Sequence, residues 1–328
     1  MRISTSQLFS VGTQGIQRNQ IDSLKTNMQI STGKRIVTPQ DDPVGASQAL
    51  VYTQAKEVNS SYINNQGVAG DQLKLAETRL NDITKMLQST LSSFVQAGNT
   101  TLNDANRQAI AKQLEVNLKE LVGMANTQDG TGNYLFAGYQ VTTQPFVAGS
   151  TAPTEPAGTA YGGTSPAVRY VEYQGDQGVK TLQVEASRDM PVNLVGSDVF
   201  MNIRDRNGVS TGRSMFDTFQ NMIDMLNTPI DSNPNFQADY QRSLNELHAN
   251  IDNTLRVRST VGAQLSELSS LKNSSTDAGL NYDTVLSNLQ DLDYTEAFTR
   301  LSRQQMQLQS SQLSFMKISS LNLFNYMS

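Results

Sequence analysis

The chain has no cysteine, no tryptophan and a single histidine, His248. The absence of cysteine excludes disulfides, thiolate metal sites and cysteine nucleophiles. One histidine excludes the His-x-x-x-His zinc-protease pattern, and a Ser-His-Asp triad would need His248 although the sequence has no Gly-x-Ser-x-Gly elbow. We therefore predict a protein that is not an enzyme and that holds no cofactor and no metal.

Charge and long apolar runs are also scarce. Only 17% of the 328 residues are charged, the net charge is −5 and no basic patch is visible, so we expect no nucleic-acid partner. No run of about eighteen apolar residues occurs, so we expect no membrane insertion. The N-terminal segment lacks a continuous apolar stretch, which argues against a cleaved signal peptide. The hydrophobic content of 37% favours long, thin helical layers over one large core.

Both ends of the chain carry amphipathic helical patterns. Residues 283–327 contain no proline and no glycine, and Leu301, Leu308 and Phe315 recur every seven residues. The alternate positions of this coiled-coil-type repeat are Ala297, Gln304, Ser311 and Ile318. A continuous helix over this stretch would be about 65 Å long. A matching pattern near the N-terminus consists of Leu8, Val11, Ile16, Leu24 and Met28.

The C-terminal stretch has apolar residues on more than one side. Met306 and Leu313 lie away from the line of the seven-residue repeat, and residues 301–328 contain no acidic side chain. A helix that is apolar on two sides needs two neighbours, one from its own chain and others from adjacent copies. We therefore predict an assembly interface at Leu8, Val11, Ile16, Leu24, Met28, Ala297, Leu301, Met306, Leu308, Leu313, Phe315 and Ile318. The pattern alone is equally compatible with an ordinary helix pair inside a stable monomer.

Further helices and a segment of β character lie between these ends. An Asp-Asp-Pro sequence at 41–43 is the N-cap signal of a helix that ends near Gly98, and Gly67 and Gly70 leave open whether it is one helix or two. Apolar periodicity predicts other helices from about 103 to before 130, from 214 to 226 and from 235 to 272. Strands are predicted at 168–173, 179–184 and 192–203, with turns at 133–139 and a loop at 149–166.

The order of these segments predicts a mainly α fold. The N- and C-terminal parts form a long antiparallel helical hairpin or bundle, and a small β-rich domain is inserted at its tip. We place a terminal coiled-coil domain at 1–42 plus 283–328, a helical rod domain at 43–132 plus 212–282, and the β-rich insert domain at 133–211. We expect the terminal domain to be disordered until assembly, because its helices have few ion pairs and more apolar surface than one partner covers.

Residues 24–36, LKTNMQISTGKRI, followed by DDPVGA at 41–46, resemble the N-terminal signature of bacterial flagellins. Thr-Gly replaces the Ser-Gly pair that ends the helix in that signature. Residues 256–263 resemble the flagellin Arg…Gly-Ala segment, and residues 291–312 resemble the C-terminal signature. Within the flagellin superfamily the chain resembles the hook-filament junction proteins more closely than flagellin itself. That resemblance depends on the opening MRISTS, on GNYLFAG at 132–138 with QPF at 144–146, and on the ending LFNYMS.

This resemblance implies a structural component of the bacterial flagellum that joins the hook, through the other junction protein, to the flagellin filament. It implies self-association in a ring-like zone, with the other junction protein and flagellin as partners, and a cytoplasmic export chaperone at the C-terminal region. It also implies an extracellular location, reached through the flagellar secretion channel without a cleaved signal peptide. The alternative function is flagellin, the filament subunit. A secreted enzyme on this scaffold and a virulence-system tip protein are disfavoured by the single histidine and by the segments at 32–43 and 134–138.

Overall fold

A computed structural model describes residues 5–99, 102–149, 171–201, 203 and 213–327. Of residues 5, 6, 8, 231 and 321–327 it describes the backbone only. The predicted loop at 149–166 lies outside the described residues except for Gly149, and so do residues 168–170 of the first predicted strand.

The described chain is mainly α-helical, as predicted. Its α-helices are α1 (Thr5–Thr32), α2 (Pro43–Ala97), α3 (Asp104–Ala125), α4 (Met215–Asn227), α5 (Phe236–Gln290) and α6 (Tyr294–Met327). A π-helical turn spans Ser197–Met201 and a short 3₁₀ turn spans Ile230–Ser232. The predicted short helix at 214–226 is confirmed as α4, where Ser214 and Asp217 form a reciprocal capping box.

The question that Gly67 and Gly70 left open is settled in favour of one helix, because α2 continues through both. An interior glycine costs about 1 kcal/mol of helix stability, which tertiary contacts can offset. Here Ala69 and Leu73 are buried, and Gln66 donates a hydrogen bond from Nε2 to the carbonyl oxygen of Val184 at 2.8 Å. Packing on the following strands therefore keeps this weak stretch helical.

The prediction of one helix from 283 to 327 is wrong at Asp291–Asp293, where the chain leaves the helical conformation. Asp293 caps α6 by accepting hydrogen bonds from the amides of Thr295 and Glu296. The amide of Leu292 donates instead to the carbonyl oxygen of Gly33. The predicted end near 272 is also wrong, since α5 continues to Gln290. An Asp with Glu three residues later is an N-cap signal that the absence of proline and glycine obscured.

The strands form two small antiparallel sheets. Strands β1 (Phe146–Ala148) and β2 (Val171–Tyr173) pair in register from Phe146 opposite Tyr173 to Ala148 opposite Val171. Strands β3 (Thr181–Glu185) and β4 (Arg188–Pro191) form a hairpin with a bulge between Gln183 and Glu185. The predicted β-rich segment in the middle of the chain is therefore confirmed, and β1 is a strand that the sequence analysis did not predict.

The predicted strand at 192–203 is wrong, because its second half is the π-helical turn. The amide group of Asn253 in α5 donates hydrogen bonds to the carbonyl oxygens of Asp198 and Val199. Val199 is buried, so its carbonyl group needs a protein partner. The Asn253 side chain, distant in sequence, thus supplies the hydrogen-bond donors that a neighbouring strand would otherwise provide.

The chain divides into two compact units. The terminal unit contains Met1–Ser61 and Ser275–Ser328, and the central unit contains Tyr62–Ser274. The three-domain division drawn from the sequence stays a prediction.

The core of the central unit contains an aromatic cluster beside the buried aliphatic side chains of its helices. Phe146 lies with ring centroids 5.0 Å from Phe200 and 5.4 Å from Phe216, and Phe200 also meets Phe136 edge-on at 5.2 Å. All four of these side chains are fully buried. The Asn126 side chain holds β1 here, since its Nδ2 donates to the Phe146 carbonyl and its Oδ1 accepts from the Phe146 amide. This unit therefore has a dry core of its own.

In the terminal unit, α1 packs antiparallel on α6, and the start of α2 packs antiparallel on the end of α5. The second pairing includes an ion pair from Lys56 to Asp283 and a hydrogen bond from Asn59 Nδ2 to the carbonyl oxygen of Ser275 at 2.7 Å. The rings of Tyr52 and Tyr282 lie 6.4 Å apart in the same interface. Polar contacts thus accompany helix packing throughout this unit.

Candidate functional site: two stripes on each terminal helix

One face of α6 lies against α1 and carries the seven-residue repeat. Ala297 is fully buried, and the remaining members of the repeat are partly buried except Ile318: Leu301, Gln304, Leu308, Ser311 and Phe315. Phe315 meets Phe9 edge-on with ring centroids 5.4 Å apart. Asn19 donates a hydrogen bond from Nδ2 to Ser311 Oγ at 2.9 Å. We call this face of α6, with the residues of α1 that contact it, the inner seam.

At Gly12 the Phe315 ring of α6 packs close against the backbone of α1. A Cβ atom at Gly12 would lie 2.6 Å from a ring carbon of Phe315, so any larger residue would displace that ring. Beside this contact is an open, mainly apolar groove of about 450 Å³. Its lining comes from both helices: Gln7, Phe9, Val11, Gly12, Gly15, Ile16, Ser311, Ser314, Phe315, Ile318 and Ser319. The inner seam is therefore tight at Gly12 but incompletely filled.

The predicted interface residues of α1 lie on different sides of the helix. Ile16 is half-buried in the inner seam, and Val11 lines its groove while 64% exposed. Leu24 and Met28 lie outside the seam and are 57% and 51% exposed. Leu8 belongs to α1, but its side chain lies outside the described residues. Ile21 was not among the predicted interface residues. It is 63% exposed and lies three residues before Leu24 on the same face of α1. Ile21, Leu24 and Met28 form the outer stripe of α1.

A second stripe runs along α6, outside the face that packs on α1. It contains the predicted residues Met306 and Leu313, which are 63% and 58% exposed. Phe298 and Met316, which the sequence analysis missed, continue it at 56% and 57% exposure. We call these four residues the outer stripe of α6. Ile318 is 42% exposed and lines the groove at the edge of the inner seam, so it is not part of the outer stripe.

The first turns of α2 add apolar surface that was not included in the predicted interface. Val44, Val51 and Val58 are 68%, 63% and 44% exposed and recur every seven residues. Their spacing was visible in the sequence, but it does not reveal which face of α2 the partner helix α5 covers. Only the structure shows that α5 leaves this stripe open.

The α1–α2 connection is fastened to the α5–α6 connection. The amide of Arg35 donates to the carbonyl oxygen of Gln290 at 2.6 Å, and the Arg35 guanidinium donates to the carbonyl oxygen of Leu289 at 2.8 Å. Gly33 occupies a left-handed conformation, φ 69°, which favours glycine and turns the chain out of α1. The α1–α6 pair and the α2–α5 pair of the terminal unit therefore meet where these two connections are hydrogen-bonded to each other.

The two adjacent aspartates after this turn have different roles. Asp42 caps α2, as predicted, by accepting a hydrogen bond from the amide of Gly45 at 2.9 Å. Asp41 accepts hydrogen bonds from the amides of Val37 and Thr38, and it pairs with Lys25 Nζ at 2.8 Å. The hydrogen bond from Lys25, together with that from Thr38, lowers the pKa of Asp41 to about 2. This carboxylate ties the loop back onto α1.

The described residues offer little else that resembles a chemical site. They contain no group of three or more side chains suited to metal binding, and His248 is half-buried in α5. In the same part of the chain, no helix is both long enough and apolar enough to cross a bilayer. The distinctive surfaces of the terminal unit are therefore its exposed apolar stripes.

Comparison with known proteins agrees with this description. The family described as bacterial flagellin N-terminal helical region matches residues 3–141, and the bacterial flagellin C-terminal helical region matches residues 244–327. The flagellar hook-associated protein 3 of Salmonella typhimurium is 32% identical over 333 aligned residues, covering 99% of both chains. The Escherichia coli protein of the same name matches with the same identity and coverage.

Solved structures share the fold. A flagellar hook-associated protein 3 from Legionella pneumophila superimposes with a TM-score of 0.62 at 20% identity, covering 73% of this chain and 98% of that one. A protein from Vibrio parahaemolyticus, described as a putative flagellar hook-associated protein, gives 0.62 at 20% identity, with 76% and 100% covered. The flagellar junction protein FlgL from L. pneumophila gives 0.59 at 19% identity, with 74% and 100% covered.

The paired terminal helices and the two family matches define a flagellin-like structural protein. Within that class, the chain belongs to the family of flagellar hook-associated protein 3. The predicted resemblance to the flagellin superfamily is therefore confirmed. The prediction that the chain is not an enzyme is also confirmed, because this family consists of structural proteins of the flagellum.

Proposed function

We propose that this protein is an extracellular structural subunit of the bacterial flagellum that joins the hook, through the other junction protein, to the flagellin filament. The observation that carries this proposal is the alignment over essentially the whole chain with proteins named flagellar hook-associated protein 3. A function as flagellin itself stays the alternative, since both flagellin family regions match this chain as well.

Self-association uses the two-sided terminal helices. The inner seam joins α1 to α6 within one subunit, and the outer stripes of both helices contact neighbouring copies in a ring-like zone. The support is their exposure: Ile21, Leu24 and Met28 on α1 and the outer stripe of α6 are each more than half exposed. Apolar surface of this extent in regular helical rows is typical of a surface that a partner covers.

The same proposal assigns the remaining partners. The subunit contacts the other junction protein on one side and flagellin on the other, and a cytoplasmic export chaperone binds the C-terminal region before secretion. The subunit leaves the cell through the flagellar secretion channel without a cleaved signal peptide. A chaperone is suited to α6 because its outer stripe carries large apolar side chains that would otherwise promote aggregation.

The terminal helices fold fully only on assembly, in a terminal domain of residues 1–42 plus 283–328. The inner seam supports this view, because Gly12, Asn19, Gln304 and Ser311 occupy positions where a stable helix pair would place large apolar residues. Amide hydrogen exchange on the monomer tests it: amides of α1 and α6 should exchange much faster than those at 70–120. Equal protection would disprove folding on assembly.

The junction function is tested by locating the protein. A flagellated bacterium that lacks its own hook-associated protein 3 is supplied with this chain, and gold-labelled antibody is imaged by electron microscopy. We expect label at a single zone between hook and filament, with restored motility. Label along the whole filament would instead establish the flagellin function. In a second test, filament fragments should not seed micrometre-long growth of the purified chain.

Substitutions in α6 test the assignment of its two sides. Phe315→Asp and Leu308→Asp place a charge in the inner seam, and Met306→Asp places one in the outer stripe, so each should block incorporation because a buried unpaired charge is costly. Ser310→Asp, at an exposed position outside both, is the matched control. Circular dichroism should show the central unit folded in all four. Normal motility with Phe315→Asp would refute the proposal that the inner seam is needed for incorporation.

A further inference from the structure

The methionines of the two units differ in exposure. In the terminal unit the three with described side chains, Met28, Met306 and Met316, are 51%, 63% and 57% exposed. In the central unit every methionine is buried or half-buried: Met86, Met124, Met190, Met201, Met215, Met222 and Met225. The exposed thioethers therefore lie only on the terminal helices, within the described residues.

Among the methionines whose side chains are described, these three are the most open to oxidation. The chain has no cysteine and no tryptophan, so methionine is its most readily oxidised residue type. Susceptibility to peroxide depends on access, and buried sulfur atoms react slowly. The exposed methionines should therefore react before the seven of the central unit.

We propose that Met28, Met306 and Met316 are oxidation sites through which peroxide-class oxidants inactivate the assembly surface of the terminal unit. The thioether sulfur attacks one oxygen of hydrogen peroxide, an S–O bond forms and the O–O bond breaks. The other oxygen leaves as hydroxide and takes up the proton of the oxygen now bound to sulfur, which gives water. Sulfur loses two electrons to the peroxide, and the product is methionine sulfoxide.

The consequence for assembly rests on the proposed function. Met28 is one of the three members of the outer stripe of α1, and Met306 and Met316 are two of the four in the outer stripe of α6. The sulfoxide is polar, so burying it against a neighbouring subunit without a hydrogen-bond partner opposes contact. The inner seam contains none of the three, so the fold of the subunit itself should persist.

The chemistry is tested on the purified full-length chain with hydrogen peroxide as the probe. Peptide mass spectrometry follows the gain of one oxygen at each methionine over time. We expect Met28, Met306 and Met316 to oxidise at least roughly tenfold faster than Met215 and Met222, which have no exposed surface. Equal rates at exposed and buried methionines would overturn the assignment of these sites.

The consequence is tested without oxidant in the complemented bacterium. Glutamine has nearly the length of methionine and a polar oxygen, so Met28→Gln/Met306→Gln/Met316→Gln imitates the oxidised surface. The matched control is Arg303→Gln/Ser310→Gln/Lys317→Gln, at three exposed positions of α6 outside the inner seam and the outer stripe. We expect roughly tenfold less incorporation of the variant with glutamine at the three methionines, with the exported subunit released to the medium, and unchanged incorporation of the control.

The outcomes separate this inference from the proposed function. If the glutamine variant assembles as well as the wild type, the oxidation switch is wrong even when the protein is found at the junction. If the unaltered protein is not found at the junction, the proposed function fails, while the peroxide map still decides whether these methionines are the reactive ones. A variant with leucine at the three methionines cannot form these sulfoxides. Growth in peroxide should reduce motility of the wild type by a larger fraction than motility of this leucine variant, each measured against the same strain without peroxide, and equal fractional loss would contradict the switch.

Discussion

The central unit and the terminal unit are built from similar helices but stabilised differently. In the central unit, rings such as Phe200 and Phe216 are fully buried and stack 5.7 Å apart. In the inner seam of the terminal unit, Gly12, Asn19 and Ser311 lie beside rings such as Phe315 that are only partly buried, and further large apolar residues lie outside the seam on the outer stripes. The comparison shows that helix formation and core formation are separable: the central unit buries its own apolar surface, and the terminal unit keeps much of it for partners.

The largest expected effect comes from the central core. Phe216→Ala should lower the free energy of unfolding by about 3–5 kcal/mol, because it leaves a cavity among fully buried rings. Phe315→Ala should leave the main transition unchanged, since Phe315 is only partly buried and contacts Phe9. Thermal unfolding followed by circular dichroism measures both. Similar losses in the two variants would show that the units do not differ as described.

The next effect concerns the turn that fastens the terminal unit. Gly33→Ala should cost about 1–2 kcal/mol, because a Cβ atom is strained at φ 69°. The amides of Arg35 and Leu292, which bond across the two connections, should exchange faster as a result. Hydrogen exchange with residue resolution checks this, with amides of the central unit as the internal reference. Unchanged exchange at both amides would contradict the fastening role.

A smaller effect distinguishes two glycines of α1. Gly15→Ala should stabilise the helix by about 0.5–1 kcal/mol, because no atom lies within 4 Å of its added Cβ. Gly12→Ala should lose that gain, since its Cβ would push against the Phe315 ring. Amide protection in α1 is the measurement. A gain of equal size at both positions would mean that the inner seam is looser than described.

The smallest effect is the pH dependence at Asp41. Because folding lowers its pKa from 3.8 to about 2, the stabilisation by Asp41 is present above about pH 4 and is lost as the pH falls toward 2. Titration of the Asp41 carboxyl carbon by NMR measures the pKa directly. Lys25→Met should raise it toward 3.8, because the hydrogen bond from Lys25 is the largest cause of the shift. An unchanged pKa in that variant would refute the pairing.

Sequence reasoning located most helices because their signals are local. Asp42 and Pro43 start α2, and Ser214 with Asp217 starts α4, through bonds within one turn. The failures have non-local causes. The π-helical turn at 197–201 depends on Asn253, more than fifty residues later, and the interruption at Asp291–Asp293 depends on the loop at Gly33 and Arg35. No local pattern carries such information.

The candidate site shows the same limit. The seven-residue repeat of Leu301, Leu308 and Phe315 was readable, and so was the second line of Met306 and Leu313. Phe298, Met316 and Ile21 were missed because their exposure depends on which face the partner helix covers. Val44, Val51 and Val58 recur every seven residues, but that spacing alone does not mark them as open surface. Periodicity identifies stripes, whereas packing decides which stripe remains uncovered.

The sequence by itself determined the helical character of both ends, through capping and periodicity that any segment carries without its neighbours. Its composition excluded cysteine chemistry, and its signature segments carried the resemblance to the flagellin superfamily. The tertiary structure alone decided which stripe of α1 and α6 is inner and which is outer, and where the long C-terminal helical region is interrupted. The physical reason is that burial and backbone hydrogen bonds between distant segments arise only when those segments pack together.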